Sequence, residues 1–454
     1  MKLRAMVDLV AKYAHARVPR YTSYPTAPHF HSGIDEAAYR RWLAEIPGDT
    51  DLSLYLHVPY CERLCWYCGC NALVANRPER VHAYADSLER EIALVTDALG
   101  EKRPVRHIHW GGGTPTMLSA DDFRTLSTVL RTHFAVLPDA EIAVEVDPRT
   151  LDPAKAAALG DAGVNRASLG VQDLTPEVQA AINRPQPLEQ VAKAVALLRG
   201  SGINALNFDL MYGLPHQTTK DSMHTVDQIV ALEPDRVTVF GYAHVPWMKR
   251  HQRMIDEAAL PGADARMAQA DAAAERLVAH GYQRIGMDHF ARPGDPMVRA
   301  LNEGHLQRNF QGYTTDAADT LIGLGVSSIG ALPAGYVQNT DDLKQYREQI
   351  DAGRLPIARG VALSDDDRLR RAIIERLMCD HAVDLAALCT RLGRPVAAIA
   401  NAYDALSELA EDGLVEVGAD RLRVTAAGIP FIRSIAACFD AYLQPDTQRH
   451  ARAI

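Results

Sequence analysis

From about residue 52 to 240, short apolar runs alternate with longer amphipathic stretches. The runs cover 52–58, 105–110, 142–146, 164–171, 205–210 and 236–240. Between them, apolar positions recur at helical spacing over 81–99, 120–134, 153–159, 188–200 and 222–232. This alternation predicts βαβ units and a parallel sheet. Six units suit either a doubly wound sheet or an incomplete barrel. No GxGxxG follows the first run, which disfavours a dinucleotide-binding domain.

The flanks read differently. A helix is expected over 5–16, then an extended stretch over 19–28, because its prolines disfavour helix on both sides. Such a stretch lies across another surface. Beyond 240 the pattern predicts a helix over 266–280 and a strand with a loop over 282–290. Residues 301–315 are polar and aromatic, and 322–330 are rich in small residues that permit close backbone approach. From about 361, helices over 366–379, 384–392 and 396–412 precede a hairpin over 414–425 and a final helix to Leu443. That order suggests a winged-helix arrangement. The expected division is an N-terminal covering segment (1–50), an α/β domain with an extension (51–360) and a C-terminal helical domain (361–454).

Composition narrows the function classes. The chain has 454 residues, 47% hydrophobic and 23% charged, with a formal net charge of −9. That balance argues against non-specific binding to nucleic acid or a membrane surface. Residues 361–454 carry 11 Arg and no Lys against 14 Asp and Glu. A DNA-binding winged helix would need a basic face, so a packing or substrate-covering role is expected instead. No run reaches signal-peptide or membrane-span length. Four of the seven cysteines crowd into ten residues, which does not fit a secreted disulfide framework and points to a reducing cytoplasm.

Unusual residues gather just after the strand candidates. The first is followed by Cys61-Glu-Arg-Leu-Cys65-Trp-Tyr-Cys68-Gly-Cys70, the second by Gly111-Gly-Gly-Thr-Pro115. Glu145 and Asp147 mark the third, Gln172-Asp173 the fourth, Asp209 the fifth and Gly241-Tyr-Ala-His244 the sixth. In parallel α/β folds these strand ends share one rim, where sites are built. Zinc sites use paired knuckles, and no second knuckle appears. Three thiolates at CxxxCxxC suit a [4Fe–4S] cluster with one iron left open, whereas an electron-transfer cluster takes four cysteines. Cys70 lies too close to Cys68 to share an ion with the other three.

The cysteine spacing with Tyr67 before the third cysteine, joined to the glycine run, resembles the radical S-adenosylmethionine (SAM) superfamily. The stretches at 19–28, 109–116, 145–149, 170–173, 209–215, 242–244, 286–293 and 308–315 extend the likeness over nearly the whole chain. Together they resemble the bacterial oxygen-independent coproporphyrinogen III oxidase (dehydrogenase) family. That resemblance implies an incomplete (β/α)6 TIM-like barrel, an N-terminal segment over its mouth and a C-terminal domain closing it. It implies a monomeric enzyme that converts the ring A and B propionates of coproporphyrinogen III to vinyl groups, using a 5′-deoxyadenosyl radical from SAM and an electron donor such as flavodoxin or ferredoxin.

Matched by motif, Cys61, Cys65 and Cys68 hold the cluster. Tyr55, Gly112, Glu145 and Ile329 match contacts to the SAM on it. Tyr67, Gly113, Thr114, Gln172, Arg184, Asp209 and Ala243 match contacts to a second SAM. The substrate's four propionates call for cationic side chains, with Arg20, Arg292 and Arg308 as candidates. Two relatives of the same superfamily compete: a haem chaperone, and a methyltransferase acting on haem. The chaperone has His-Asn-x-x-Tyr-Trp where this chain reads Arg308-Asn-Phe-Gln-Gly-Tyr313, and lacks counterparts of 19–28 and Cys70.

Overall fold

The computed structural model describes residues 16–443 together with Leu9, Lys12 and Tyr13. The helix expected over 5–16 lies largely outside the described residues. All six expected strands form: β1 (Leu52–Val58), β2 (Pro104–Gly112), β3 (Ala135–Val146), β4 (Arg166–Gln172), β5 (Ala205–Tyr212) and β6 (Arg236–Gly241). Each pairs parallel with the next. Helices Pro78–Leu99, Ala120–His133, Pro153–Asp161, Leu188–Gly200 and Thr219–Val230 fall between them close to the expected bounds. β3 starts well ahead of its apolar run because Pro138 and Asp139 interrupt the pattern. The β2–β3 register shifts across that stretch, where a proline is tolerated.

The sheet continues past both ends of this series. On one side β8 (His289–Ala291) pairs antiparallel with β6, and β7 (Gln283–Ile285) pairs antiparallel with β8. On the other, β9 (Thr320–Leu324) pairs parallel with β1, followed by antiparallel β10 (Ile329–Leu332), β11 (Gly335–Asn339) and β12 (Ile357–Ala362). The order is β12-β11-β10-β9-β1-β2-β3-β4-β5-β6-β8-β7.

Alternation along the strands separates core from site. In β4, Ala167, Leu169 and Val171 are buried in the main core, and in β5 Leu206, Phe208 and Leu210 are. The intervening Ser168, Gly170, Gln172, Asn207 and Asp209 line a cavity on the opposite face. The apolar set packs against helix residues such as Leu88, Ile92, Leu126, Val195 and Leu198, each worth about 2 kcal/mol of burial. Within the expected covering segment 1–50, helix Glu36–Ala44 places Tyr39 and Leu43 in this same core.

A second core belongs to the C-terminal module. Helix Asp365–Asp380 contributes Leu369, Ile373 and Leu377 to it. The expected hairpin forms as Val415–Val417 and Arg421–Val424, with an unanticipated third strand, Ala382–Asp384, on its edge. The expected helix over 396–412 is broken into a 3-10 turn at Val396–Ile399 and a helix at Ala402–Glu411. Buried Arg370 takes the Ala398 carbonyl at 3.2 Å, removing an acceptor that a continuous helix needs. The final helix stops at Ala437 rather than Leu443. There the chain turns so that the Ala441 amide donates to the Tyr24 hydroxyl at 2.9 Å and the Tyr442 hydroxyl to Asp367 at 2.9 Å.

The extended stretch from Val18 seats on this module. Arg433 donates to the Val18 carbonyl at 2.5 Å and the Pro19 carbonyl at 3.1 Å. Tyr21 and Tyr24 are part of the second core. Pro28 lies in a short 3-10 turn, Ala27–His29.

Candidate active site

The C-terminal ends of β1 to β6 open onto a cavity of about 630 Å³, within the range of small-molecule sites. Cys61, Cys65, Cys68 and Cys70 all line it, as do Tyr67, Gly112, Gly113, Thr114, Glu145, Gln172, Arg184, Asp209 and Ala243. Residues from six strand ends far apart in sequence thus share one space.

Cys61 lies on a short strand, Tyr60–Cys61, paired with Leu73–Val74; the other three cysteines lie on the loop between. Thr114 donates to the Cys61 sulfur at 3.5 Å. Arg184 and Arg149 donate to the Cys65 sulfur at 3.3 and 3.4 Å. The Cys70 amide donates to the Cys68 sulfur at 3.4 Å. The Cys68 thiol is pulled down to about 7, chiefly by the Cys70 side chain. Among the described residues, no three His, Cys, Asp or Glu side chains converge tightly enough for a single metal ion.

The glycine run fits its neighbours closely. Gly112 has φ +111°, and a Cβ there would come within 2.7 Å of the His57 ring. At Gly113 a Cβ would come within 2.7 Å of the Tyr60 carbonyl oxygen, a backbone atom that cannot swing aside. Glu145 accepts from the Gly112 amide at 3.1 Å, with His109 at 3.2 Å from its other oxygen. The expected contact residues Gly112 and Glu145 are therefore bonded to each other.

Asp147 and Arg149, which the motif carried without a role, form the electrostatic support of the cysteine loop. Asp147 accepts from Arg149 at 2.6 Å and from Arg184 at 3.3 Å. Burial pushes its carboxyl up, but the two guanidinium groups outweigh that and hold it below the usual range. Arg184 also donates to the Gly170 carbonyl at 2.5 Å, and its buried Nε has no partner among the described residues. Asp209 sits mid-strand, accepting from Ser168 at 2.7 Å and Asn207 at 2.9 Å, and burial raises its pKa. Gln172 has φ +69° beside a register shift between β4 and β5, which re-aims its side chain.

Tyr55, Ile329, Arg292 and Arg308 fall outside the cavity lining. Tyr55 lies behind the glycine run: its ring is 5.9 Å from that of His109, and its hydroxyl meets His57 at 3.0 Å. Burial lowers the pKa of His57, which also meets the Asn71 carbonyl at 3.0 Å. Ile329 opens β10 and packs in a separate small apolar cluster with Tyr336. Of the three arginines, Arg20 lines the cavity and donates to the Gly241 carbonyl at 2.8 Å. Arg308 stands over the Tyr313 ring at 4.5 Å and lines a neighbouring smaller cavity with Tyr21 and Tyr24. Arg292 is not brought to the site. It follows Ala291, which pairs with Arg236 at the start of β6, so it lies at the opposite end of the strands and donates to the Pro234 carbonyl.

A segment that the sequence reading passed over clasps the cysteine loop. Gln252 donates to the Tyr67 carbonyl at 2.9 Å and the Ala243 carbonyl at 3.2 Å. His251 meets the Cys68 carbonyl at 2.7 Å, and Lys249 donates to the Cys70 carbonyl at 2.9 Å. These contacts span about 180 residues of chain, a separation that no local motif carries.

Comparison with known proteins agrees with this geometry. The Radical SAM superfamily matches residues 55–229 and the HemN C-terminal domain residues 363–431. The chain is 51% identical to the oxygen-independent coproporphyrinogen III oxidase of Bradyrhizobium diazoefficiens, over 98% of this chain and 99% of that one. It is 44% identical to the protein of the same name from Paracoccus denitrificans, over 94% of each. Among solved structures, the coproporphyrinogen III oxidase (HemN) of Escherichia coli, described as a radical SAM enzyme, matches with a TM-score of 0.90 and 40% identity. That match covers 96% of this chain and 99% of that one.

Proposed function

The chain belongs to the oxygen-independent coproporphyrinogen III oxidase family of radical SAM enzymes, and from that premise we propose how its residues divide the work. The protein oxidatively decarboxylates coproporphyrinogen III to protoporphyrinogen IX in haem biosynthesis, converting the ring A and B propionates to vinyl groups. The observation that carries the assignment of residues is the shared cavity of Cys61, Cys65, Cys68, Gly112–Thr114, Glu145 and Asp209.

Cys61, Cys65 and Cys68 hold a [4Fe–4S] cluster, and the donor set fits it: three thiolates, each with a hydrogen-bond donor on its sulfur. With SAM bound, the cluster supplies one electron and the means to cleave SAM into a hydrogen-abstracting radical. The protein's part is placement, charge and exclusion of water. Gly112 and Gly113 let backbone approach the cofactor without a Cβ in the way. Glu145 and Asp209 present carboxylate oxygens to hydroxyl or amino groups. Arg184 offers a buried N–H donor to a carboxylate. Tyr67, Thr114, Gln172 and Ala243 complete the wall where a second SAM sits, with Tyr55 and Ile329 supporting the first from behind.

Arg20 meets substrate carboxylates at the cavity mouth, and Arg308 acts from behind Tyr313. The parallel strands form an incomplete (β/α)6 barrel, the segment from Val18 to His31 covers its mouth, and the winged-helix-like C-terminal module holds that segment down. The protein works as a cytoplasmic monomer.

The test is anaerobic reconstitution with reductant, SAM and coproporphyrinogen III. Protoporphyrinogen IX is expected, with two CO2 and two 5′-deoxyadenosine per product. SAM cleavage without decarboxylation, or haem binding without turnover, overturns the reading.

A further inference from the structure

Eight large apolar side chains stand exposed among the described residues. Five of them lie on two segments that meet at the cysteine loop: Leu73 (44%), Val74 (45%), Trp247 (52%), Met248 (62%) and Met254 (60%). The two segments are joined by the side chains of Lys249, His251 and Gln252 on the carbonyls of Cys70, Cys68 and Tyr67.

The charge here runs against that of the chain. Residues 61–80 and 247–254 together carry six Lys and Arg and two carboxylates, Glu62 and Glu79, on a protein of net charge −9. Arg63, Arg250 and Arg253 are exposed and make no ion pair among the described residues. Asp256 and Glu257, just beyond the patch, are also exposed; Glu257 is turned to His244 at 3.1 Å. Exposed Trp and Met on segments with an excess of positive charge have the composition of a small transient interface.

We propose that this surface docks an acidic one-electron donor protein that reduces the cluster, a proposal that rests on the cluster reading above. One electron leaves the donor's reduced flavin or iron–sulfur centre and enters the cluster; no bond forms or breaks, and the donor departs one electron poorer. Location favours this occupant over a second copy of the chain. The patch is built on the backbone that carries Cys68 and Cys70, so a docked redox centre stands close to the sulfurs, and electron tunnelling falls steeply with distance. A second copy docked two-fold on this face would set the same positive patch against itself.

The experiment compares cluster-loaded wild type with Arg250→Glu/Arg253→Glu, using Lys344→Glu on a separate exposed helix as the control. Bleaching of the cluster's visible absorbance is followed by stopped flow with hydroquinone flavodoxin, an acidic donor, and separately with dithionite. The double variant is expected to lose about tenfold or more in the flavodoxin rate at low salt while keeping its dithionite rate, iron content and EPR signal. The wild-type flavodoxin rate should also fall with added salt. Equal flavodoxin rates in wild type and double variant overturn the proposal. So does an equal loss with both reductants, or a change from dimer to monomer in the variant. Because the readout is cluster reduction, failure of dithionite-reduced wild type to cleave SAM instead overturns the functional reading and leaves this comparison intact.

Discussion

Arg184 donates to the Cys65 sulfur at 3.3 Å from the same nitrogen that reaches Asp147 at 3.3 Å. A fully buried cation thus sits against one thiolate and is balanced by one carboxylate. A positive charge beside a cluster favours its reduced, more negative form, and a hydrogen bond to the sulfur acts in the same direction. Arg184→Gln removes the charge and keeps a donor. The midpoint potential is expected to become more negative by on the order of 50 mV, about 1 kcal/mol for one electron. An EPR-monitored redox titration reads this directly. An unchanged potential would mean that Asp147 already cancels the Arg184 charge at the sulfur.

Cys70 lines the same cavity as the three other cysteines but hydrogen-bonds to Cys68 rather than standing apart from it. Replacing Cys61, Cys65 or Cys68 with Ala should abolish the cluster's visible spectrum and bound iron. Cys70→Ser should retain both, because a serine keeps the Cys70 backbone amide on the Cys68 sulfur. Loss of iron in Cys70→Ser would reassign it as a ligand.

Much of this site was legible because chemistry and topology coincide. Runs such as 52–58 and 205–210 are bounded by polar or Gly residues at the end where parallel strands build sites, so motif and rim appeared together. The limits are equally physical. Arg292 resembles a substrate arginine in sequence, yet β8 runs antiparallel and delivers it to the far end. Short antiparallel strands such as β10 and Ala382–Asp384 carry too few residues for a period to register. The helix expected over 396–412 has continuous helical periodicity, and long-range bonds from Arg370 to the Ala398 carbonyl and the Asn401 side chain meet it at the break. The clasp of Lys249, His251 and Gln252 consists of side chains on backbone carbonyls, which any sequence supplies.

Gly113 offers a sharper steric test than Gly112. At Gly112 the obstructing group is the His57 ring, a side chain that can shift, although φ +111° adds backbone strain. At Gly113 the obstruction is the Tyr60 backbone, which carries Cys61 next to it. Gly113→Ala is expected to destabilise the cluster-free protein by about 1–3 kcal/mol and to displace Cys61, lowering iron content after reconstitution. Thermal unfolding and iron assay check it. Wild-type stability together with full iron loading would show that the loop yields at no cost.

Glu91 lies away from the site, 1% exposed, where the helix Pro78–Leu99 passes β9 and β11. Its carboxylate accepts from the Tyr346 hydroxyl, the Gly325 amide and the Asn339 amide, each at 2.6 Å. Burial raises its pKa from 4.5 to about 7, and these three bonds offset only part of that rise. An acid with a raised folded-state pKa holds its proton in the folded state where the unfolded chain has lost it. Its stabilising contribution is therefore complete below the unfolded value and is lost as pH rises through the folded one. The window is pH 4.5 to about 7, and the loss amounts to on the order of 3 kcal/mol. Glu91→Gln has no proton to lose. Urea unfolding of cluster-free protein near pH 5 and near pH 8 should show the wild type weakening by about that amount relative to the variant. Parallel pH profiles for the two proteins would place the Glu91 pKa at its ordinary value. They would leave Tyr346, Gly325 and Asn339 stabilising the charged form in full.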